Sequence, residues 1–394
     1  MRILSNDFLS NFSNDGASHG GTANFAETLG KALNKEKIYW VKVYQEKLGN
    51  KIQSENKKKT QNNSWWSLTI PLGYLEKNLF HLKNKTEKET VLKDAILCLK
   101  NIMAKEKVDI VFLNGISVFV WCIFKAAKEL NIKIVVQHAG VWKFELDNYA
   151  NNFSPISLEL LKEMEKEIAI FSNKNVFLNK TSREIFIRKV IKIPLTKTEI
   201  IPLPIKLAYK ENKKEEKQET STKVGMVGRW DKIKNHNAYL QLAKEAQKEN
   251  LDWKFYSVTH IPQTKKKIKF KKEYRKYVEI LPIMPSKKLN KFYNMMDIMI
   301  LPSLFDVSPH VVVEAAMSET PTYISKGVCY IDMFKKFGAN NFIVDFINTK
   351  LALNKIKRNI KNKYPPKLIK EFRTIHDIKN VSSKYLKVFN DLMK

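Results

Sequence analysis

Cysteine, glycine and long apolar runs are all scarce in this chain of 394 residues, which contains 3 Cys and 12 Gly. The cysteines, Cys98, Cys122 and Cys329, are odd in number and far apart, so the sequence shows neither a disulfide framework nor a metal-binding cysteine motif. The most apolar window, residues 116–124, is about half the length that a membrane-spanning helix needs. The first residues also lack the pattern of a secretory signal. We therefore expect a cytoplasmic protein, with peripheral contact at the inner face of a membrane as an open alternative.

Arginine is also rare, although the chain is strongly basic. Lys and Arg together number 70 against 40 acidic residues, which gives a formal net charge of +30. Arg, however, occurs at only seven positions of the printed sequence. Proteins that read nucleic acid sequences favour Arg for paired contacts to guanine and phosphate, so an excess made mostly of Lys argues against a nucleic-acid partner. An anionic membrane surface or a polyanionic substrate remains as the partner that such a charge favours.

One basic run, residues 265–277, interleaves its lysines with Ile268, Phe270, Tyr274 and Tyr277. Most runs of this kind are solvated loops or helix faces. The interleaved apolar side chains keep a peripheral membrane surface open as the alternative.

The rest of the composition is that of a folded protein with two or three domains. Hydrophobic residues make up 44% and aromatic residues 11% of the chain, which is too apolar for a disordered protein. Short apolar runs alternate with longer amphipathic stretches almost throughout. This pattern is typical of βαβ units and parallel sheets.

A charged segment without apolar periodicity, residues 210–223, separates two sets of βαβ units. Before it, strands are predicted at 2–4, 38–44, 67–72, 109–113, 133–138 and 175–179, and helices at 22–34 and 117–130. After it, strands are predicted at 223–230, 252–258, near 278 and at 297–301, with helices at 237–249 and 286–296 and a helical tail to the end. The sequence thus predicts an α/β protein with two parallel-sheet domains.

The most informative segment is LPSLFDVSPHVVVEAAM, residues 301–317. An apolar strand there runs into a Pro-Ser turn and an apolar helix, and open α/β sheets bind ligands where a strand's carboxyl end meets a helix's amino end. Asp306 lies in the turn, and Glu314 follows about 12 Å further along by the helical rise per residue. Asp306 suits the hydroxyls of a sugar ring and Glu314 those of a ribose. A helix-capping Asp and a Glu held by a nearby amide are the structural alternatives.

A second loop with site chemistry follows the strand predicted at 223–230. Gly228 allows a tight turn there, and Arg229 and Lys234 place two cations ahead of a helix. Such cations neutralise a pyrophosphate leaving group where no metal-binding Asp-x-Asp pattern supplies the charge. Isolated cations in a loop are usually surface residues, so the hypothesis depends on Arg229 and Lys234 sharing a site with Asp306.

Further candidate positions lie at the ends of predicted strands and in the acidic segment. Gly20 and Gly21 stand between the first strand and an amphipathic helix, where backbone N–H groups can approach an anion. His138 ends its strand and is expected to point to the ligand-binding edge of the sheet, with a structural histidine as the alternative. Ser308 and His310 lie in the turn of the acidic segment.

Together these motifs resemble the donor site of the retaining GT-B glycosyltransferases of the glycosyltransferase-family-four type. The family's pattern of Glu, seven residues and Glu is similar to Asp306 through Glu314, with Asp in place of the first Glu. Its Gly-x-Pro turn corresponds to SETP, where Glu319 replaces the Gly. Its Gly-Arg-x4-Lys-Asn loop corresponds to residues 228–235.

The resemblance implies a GT-B fold, in which two Rossmann-like parallel-sheet domains face each other across a cleft and a C-terminal helix crosses back to the first domain. It implies an acceptor-side domain at 1–206, a donor domain at 207–365 and a helical tail at 366–394. The catalytic residues that it implies are Arg229, Lys234, Asp306 and His138, and the donor-binding residues are Gly20, Gly21, Gly228, Ser308, His310 and Glu314.

The implied activity is a metal-independent, cofactor-free transfer of a hexosyl or acetylhexosaminyl group with retention. The donor would be a nucleotide sugar of the UDP or GDP type, and the acceptor a glycan or lipid-linked glycan in cell-surface polysaccharide synthesis. Two other interpretations stay open at this point. One is a nucleotide-sugar epimerase on a GT-B-like fold, and the other is a non-catalytic homologue that binds polyanions through its lysines.

Overall fold

The computed structural model describes residues 1–6, 25, 28–30, 32–33, 38–46, 52–61, 63–69, 87–147, 154–205, 221–261 and 265–394. The chain divides into two compact units. Residues 1–204 together with 378–394 form the first unit, and residues 205–377 form the second. Each unit is built on one β-sheet.

The sheet of the first unit has eight strands in the order β3-β4-β2-β1-β5-β6-β7-β8. All neighbours are parallel except β3 and β4. The strands are β1 (Arg2–Asn6), β2 (Tyr39–Glu46), β3 (Gln53–Lys59), β4 (Asn63–Thr69), β5 (Ile110–Asn114), β6 (Lys133–His138), β7 (Lys174–Phe177) and β8 (Thr198–Ile200).

The helices of this unit include α1 (Glu87–Lys105), α2 (Val118–Glu129), α3 (Trp142–Asp147), α4 (Pro155–Phe171) and α5 (Lys180–Lys189). Helix α2 begins at the cap residue Ser117, whose side chain accepts a hydrogen bond from the backbone N–H of Val120. The apolar residues 118–124 of this helix are all buried. The most apolar window of the sequence is therefore part of the core. The helix predicted at 22–34 lies largely outside the described residues.

The antiparallel hairpin of β3 and β4 was not predicted from the sequence. Strand β3 reads QSENKKK and has no apolar residue, so it carries none of the alternation by which strands are predicted. It forms because β4 offers it a free edge, and its charges protect that edge from further pairing. The strand predicted at 67–72 begins instead at Asn63.

The second unit has six strands in the order β11-β10-β9-β12-β13-β14, all parallel. The strands are β9 (Thr222–Val227), β10 (Trp253–Val258), β11 (Glu279–Leu281), β12 (Ile298–Leu301), β13 (Thr322–Ser325) and β14 (Ile343–Val344). The helices are α6 (His236–Lys248), α7 (Lys265–Tyr274), α8 (Ser286–Met295), α9 (His310–Met317), α10 (Ile331–Lys336), α11 (Thr349–Asn359) and α12 (Pro366–Ile375). This is the doubly wound order, and the direction of winding changes between β9 and β12.

The final helix, α13 (Ile378–Met393), belongs to the first unit. Its Tyr385 ring packs on Phe112 and Phe25, with ring centroids 5.3 and 5.5 Å apart. Its Phe389 ring packs edge-on against Trp40. The C-terminal helix therefore does return to the first unit.

The predicted tail boundary at residue 366 is wrong in one respect, because helix α12 packs in the second unit. Leu368 and Phe372 are fully buried in the hydrophobic core of that unit. The Arg373 guanidinium also donates to the carbonyl of Met317 at the end of α9, at 3.4 Å. The amphipathic pattern of 366–375 is satisfied locally, and the chain leaves the unit only after residue 377.

A buried polar network joins the carboxyl ends of three neighbouring strands in the first unit. The Asn6 side chain accepts a hydrogen bond from the Asn114 N–H at 2.7 Å and donates to the Asn114 carbonyl at 2.9 Å. The Gln137 amide donates to Asn114 Oδ1 at 3.1 Å, and the Tyr385 hydroxyl donates to Gln137 Oε1. The returning helix is thus held by a hydrogen bond as well as by aromatic packing.

The aromatic residues of the basic run at 265–277 pack against the second unit and not toward the membrane surface that the sequence left open as an alternative. Tyr274 is fully buried, and Phe270 and Tyr277 pack against the core of the second unit. The Phe270 ring lies 5.5 Å from that of Trp230. The side chain of Ile268 lies outside the described residues. In the part of the chain that the structure describes, every helix is too short or too polar to span a bilayer.

The hydroxyl of Tyr385 is expected to stabilise the fold. Tyr385→Phe keeps the aromatic packing but leaves the buried Gln137 Oε1 without this donor, which should lower the free energy of unfolding by about 1 to 3 kcal/mol. Urea denaturation measures the change. Lys387→Ala, at an exposed position of the same helix, is the control and should change little; equal midpoints for the two variants would contradict the assignment.

Candidate functional site

The candidate site of the second unit lies where β9 and β12 run side by side. Ile298 and Met299 of β12 pair with Val224 and Gly225 of β9. A Cβ at Gly225 would lie 2.5 Å from the Met299 sulfur, so glycine allows β12 and its neighbours to pack closely on β9. Because these parallel strands end at the same edge at the change of winding, the loops after them meet there.

The loop after β9, residues 228–235, is called the lysine loop here. Its turn is held by Asp231, whose carboxylate accepts a hydrogen bond from the Ile233 N–H at 3.1 Å. Asn235 adopts the left-handed conformation with φ 54° and caps helix α6 by accepting from the Ala238 N–H at 3.3 Å. Asn tolerates that conformation better than most residues. The loop therefore ends in a fixed geometry directly after Lys234.

His236 closes the lysine loop from inside the unit. Its Nε2 hydrogen-bonds to the Arg229 carbonyl at 2.9 Å, and its ring stacks on Trp230 with centroids 4.3 Å apart. Burial lowers the pKa of His236 to about 4, so the imidazole is neutral at pH 7 and Nε2 carries the donated proton. His236 was not predicted as a functional residue, although it directly follows the predicted motif.

The loop after β12, residues 302–309, is called the acidic loop here. The Asp306 N–H donates to the Gly327 carbonyl at 3.0 Å, and the Cys329 N–H donates to the Asp306 carbonyl at 2.9 Å. A Cβ at Gly327 would lie only 2.1 Å from the Leu304 carbonyl oxygen. Glycine at 327 is therefore required for the acidic loop to pass so closely. No pattern in the sequence had indicated this contact, because the two segments are about twenty residues apart.

The structure brings the lysine loop and the acidic loop together. The Leu304 N–H donates to the Ile233 carbonyl at 2.7 Å, and the Asn235 side-chain amide donates to the Pro302 carbonyl at 3.2 Å. Between these contacts Lys234 Nζ forms a hydrogen-bonded ion pair with Asp306 Oδ2. The two side chains are 18% and 12% exposed, so the pair is partly screened from water yet open to a ligand.

Ser308 and His310 extend this site along the acidic loop. Ser308 Oγ lies 2.9 Å from the Tyr330 hydroxyl. His310 begins helix α9, and its Nε2 is covered and has no hydrogen-bond partner among the described residues. Burial is the main cause that lowers the pKa of His310 to about 4. The charge of Asp306 opposes this shift, and the charge of Lys234 adds to it. A neutral imidazole with an unused nitrogen thus lies close to the ion pair.

Glu314 interrupts the apolar face of α9 and has a polar partner within the unit. The hydroxyl of Tyr293, from α8, donates to Glu314 Oε2 at 2.8 Å. Tyr293 is fully buried and Glu314 is half-buried between buried neighbours. A tyrosine hydroxyl is therefore a polar partner of this carboxylate. Tyr293 was missed by the sequence analysis because nothing in the sequence couples α8 to α9.

Two predicted residues of the lysine loop stand apart from the ion pair. The Arg229 side chain is exposed and forms no ion pair with a described residue. Gly228 has no positive φ, and a Cβ there would lie 3.7 Å from Lys234 Cγ, an ordinary contact. The conformation at 228 therefore does not depend on glycine, and the donor-binding role of Gly228 stays a prediction. Arg229 remains a candidate because its charge is available beside Lys234.

The first unit holds the remaining candidates. His138 is 1% exposed, and its Nε2 lies 2.8 Å from Asn175 Oδ1. Its ring stacks on Phe177 and contacts Phe186, with centroids 4.7 and 4.4 Å away. Burial lowers its pKa to about 4. These contacts give His138 a structural role, and its catalytic role stays a prediction. Gly20 and Gly21 lie outside the described residues.

Comparisons with known proteins agree with this geometry. Residues 209–374 match the model of the family Glycosyl transferases group 1. The match covers less than half of the chain and most of its second unit, so this region is similar to the group 1 glycosyltransferases. The matched region contains both the lysine loop and the acidic loop. No curated protein sequence matches the chain significantly.

Solved structures resemble the chain over its whole length. The sucrose-phosphate synthase of Thermosynechococcus elongatus has a TM-score of 0.75 at 14% identity, with 100% of this chain and 99% of that chain covered. The E. coli trehalose-6-phosphate structure with bound UDP-2-fluoro glucose has a TM-score of 0.67 at 13% identity, with coverage of 100% and 99%. The lipopolysaccharide outer core galactosyltransferase WaaB has a TM-score of 0.66 at 13% identity, again with coverage of 100% and 99%. The fold is of the GT-B type, with a mostly parallel sheet in the first unit and a fully parallel sheet in the second.

Glu319, where the resembled pattern has glycine, ends helix α9 in the left-handed conformation with φ 56°. Its N–H donates to the Ala316 carbonyl at 3.0 Å, and the Thr320 N–H donates to the Ala315 carbonyl at 2.9 Å. This pair of hydrogen bonds is a Schellman motif, in which glycine is preferred at the left-handed position. Glu in place of Gly at this left-handed position strains the backbone. Because the Glu319 side chain is exposed, it does not crowd the site.

Glu319→Gly should stabilise the second unit. Removing the Cβ relieves the left-handed strain and should raise the free energy of unfolding of the second unit by about 1 kcal/mol. Glu319→Ala, which removes the carboxylate but keeps the Cβ, should leave it within about 0.5 kcal/mol of wild type. Guanidinium denaturation compares the three proteins. An equal gain for both variants would show that charge, and not backbone strain, is responsible.

Stability should also fall in mild acid because of the buried histidines. The pKa of His236 is about 4 in the folded chain and about 6.5 in an unfolded one. Between these values the unfolded chain binds a proton that the folded chain does not, so the free energy of unfolding decreases as pH falls from about 6.5 to 4. His236→Gln, which keeps a side-chain donor for the Arg229 carbonyl, should reduce this decrease by on the order of 1 kcal/mol.

Urea denaturation at pH 7 and pH 5 measures the decrease. His260→Gln is the matched control, because His260 is exposed and its replacement should leave the pH dependence unchanged. Equal pH dependence in wild type and His236→Gln would contradict the assignment.

Proposed function

We propose that this protein is a glycosyltransferase that binds a nucleoside-diphosphate sugar at the joined lysine and acidic loops and transfers the sugar with retention to a glycan or lipid-linked acceptor. The observation that carries the proposal is the Lys234–Asp306 ion pair, on loops that hydrogen-bond to each other at the change of winding of a parallel sheet. This edge is where doubly wound sheets bind nucleotides.

Lys234 is assigned to the diphosphate. An ammonium group has three donors, and one of them is used by Asp306, so two remain for phosphate oxygens. As the bond between the sugar and the phosphate lengthens, negative charge grows on the diphosphate and is stabilised by Lys234 and by the nearby Arg229. We assign the neutralisation of the diphosphate charge to these two cations. Among the described residues there is no group of three or more His, Cys, Asp or Glu side chains that could hold a metal ion.

The two carboxylates are assigned to the two sugars of the donor. The Asp306 carboxylate pairs with Lys234 through Oδ2, and its oxygens can also accept hydrogen bonds from hydroxyls of the transferred sugar. Glu314 lies further along α9, and a carboxylate accepts up to about four hydrogen bonds. It can therefore share its charge between the Tyr293 hydroxyl and the diol of a ribose, and Tyr293 fixes its orientation.

Retention follows from which group acts as the base. Asp306 is already paired with Lys234, so we assign the role of base to an oxygen of the departing diphosphate, which accepts the acceptor's proton. The bond between the anomeric carbon and the phosphate oxygen breaks, the acceptor oxygen bonds to the same face of that carbon, and the proton passes to the diphosphate. No covalent intermediate with the protein is needed.

The classes of donor and acceptor are proposed by likeness. The similar E. coli structure contains UDP-2-fluoro glucose, which supports a donor of the UDP type. Similarity to a lipopolysaccharide galactosyltransferase supports an acceptor from cell-surface polysaccharide synthesis. Attachment to the inner face of a membrane is also part of this proposal.

Lys234→Ala should lower the rate of sugar transfer by about a hundredfold, the effect of removing one charged stabiliser of the leaving group. A thermal-shift screen of nucleotide sugars identifies the donor, and initial rates of transfer measure the loss. Lys232→Ala removes an exposed lysine of the same loop and should keep nearly full activity. A wild-type rate in Lys234→Ala would refute the assignment.

A further inference from the structure

A buried tyrosine links the acidic loop to the end of the second unit. The Tyr330 hydroxyl lies 2.9 Å from Ser308 Oγ and 3.3 Å from His376 Nε2. Tyr330 is 1% exposed and His376 is fully buried. Three polar side chains, from the acidic loop, the turn before α10 and the end of α12, therefore form one continuous chain of hydrogen bonds.

One end of this chain of hydrogen bonds lies at the candidate site. Ser308 is two residues after Asp306 and on the same loop. Tyr330 directly follows Cys329, whose N–H donates to the Asp306 carbonyl at 2.9 Å, and the Asp306 charge raises the pKa of the Tyr330 phenol further above the value that burial alone would give. Tyr330 thus lies within electrostatic reach of the carboxylate that pairs with Lys234.

The other end lies where the chain passes between the units. The boundaries fall after residues 204 and 377, and the His376 carbonyl accepts a hydrogen bond from the Ile205 N–H at 3.0 Å. The two segments at which the chain enters and leaves the second unit are therefore bonded to each other at His376. The side chain of the same residue contacts Tyr330.

We propose that Tyr330 and His376 are positioning residues that fix Ser308 for the donor and tie the acidic loop to the entry and exit segments of the second unit. This inference rests on the proposed function, because it assigns Ser308 to the donor site. We call the three residues the Ser308–Tyr330–His376 relay. Neither Tyr330 nor His376 is assigned a contact with the donor.

Packing alone does not require the hydroxyl at position 330. The Tyr330 ring packs edge-on against Phe372 with centroids 5.3 Å apart, a contact that phenylalanine would make equally well. A buried hydroxyl is costly unless it is hydrogen-bonded, and here it is bonded to two side chains. The hydroxyl of Ser308 could otherwise occupy any of three staggered rotamers, so the hydrogen bond to Tyr330 selects one of them.

A double-mutant cycle in the full-length enzyme tests the relay. Tyr330→Phe should lower kcat/KM for the donor by about 5- to 30-fold, the effect of losing one positioning hydrogen bond. Ser308→Ala should cause at least as large a loss, and the double variant should be no worse than Ser308→Ala alone, because both changes break the same relay. Losses that multiply in the double variant would overturn the proposal.

His376 is tested by two replacements of different hydrogen-bonding capacity. His376→Gln retains a polar group for Tyr330 and should keep most of the donor kcat/KM, whereas His376→Phe should lose as much as Tyr330→Phe. Because His376→Phe alters a fully buried site, its thermal unfolding is recorded as a check on folding. Equal losses for His376→Gln and Tyr330→Phe would count against the relay.

Hydrogen–deuterium exchange tests the relay without a nucleotide sugar. Residues 302–309 should exchange faster in Tyr330→Phe than in wild type. The matched control is Tyr323→Phe, which removes another tyrosine hydroxyl of the same unit, bonded to the Asn359 carbonyl at 2.7 Å, and should leave this segment unchanged. Unchanged exchange in Tyr330→Phe overturns the relay. If wild type neither binds nor transfers any nucleotide sugar, the proposed function fails, while the exchange result still decides the relay.

Discussion

The parallel pairing of β9 with β12 is the constraint on which the rest of the candidate site depends. The close packing of Met299 on Gly225 brings these two strands side by side, although about seventy residues separate them in the chain. Their carboxyl ends then release two loops at one edge of the sheet. Backbone hydrogen bonds between the loops, from Leu304 to Ile233, leave Lys234 and Asp306 facing each other. The ion pair is therefore a consequence of sheet topology, and no local motif creates it.

The ion pair also shows how a site can hold both charges before a ligand arrives. Two opposite charges at low exposure stabilise each other, so neither Lys234 nor Asp306 is left buried and unpaired. A diphosphate sugar has a negative diphosphate that complements Lys234. It also has hydroxyl groups that can donate hydrogen bonds to Asp306. Preorganised groups of this kind need little rearrangement when charge develops in the reaction. The departures from the resembled pattern leave this arrangement intact, because Asp306 keeps its charge and Glu319 points to solvent.

Much of the fold was predictable because its signals are local. The apolar runs of β5, β6 and β12 and the amphipathic pattern of α6 are read directly from the residues. Elements without such signals were missed. Strand β3 has no apolar residue and forms only because β4 offers an edge. The tail boundary was also wrong, because an amphipathic pattern shows that a helix has a buried face but not which unit buries it.

The sequence by itself determined the class of fold, the two loops that carry the candidate chemistry and the charges that they bring to it. It determined these because periodicity, turn residues and charge are properties of neighbouring positions. Only the tertiary structure decided that Lys234 binds Asp306, that Tyr293 holds Glu314, and that His138 is packed between aromatic rings. Each of these contacts joins residues from separate elements, and their distance in space is set by strand order and helix packing, which no short stretch of sequence encodes.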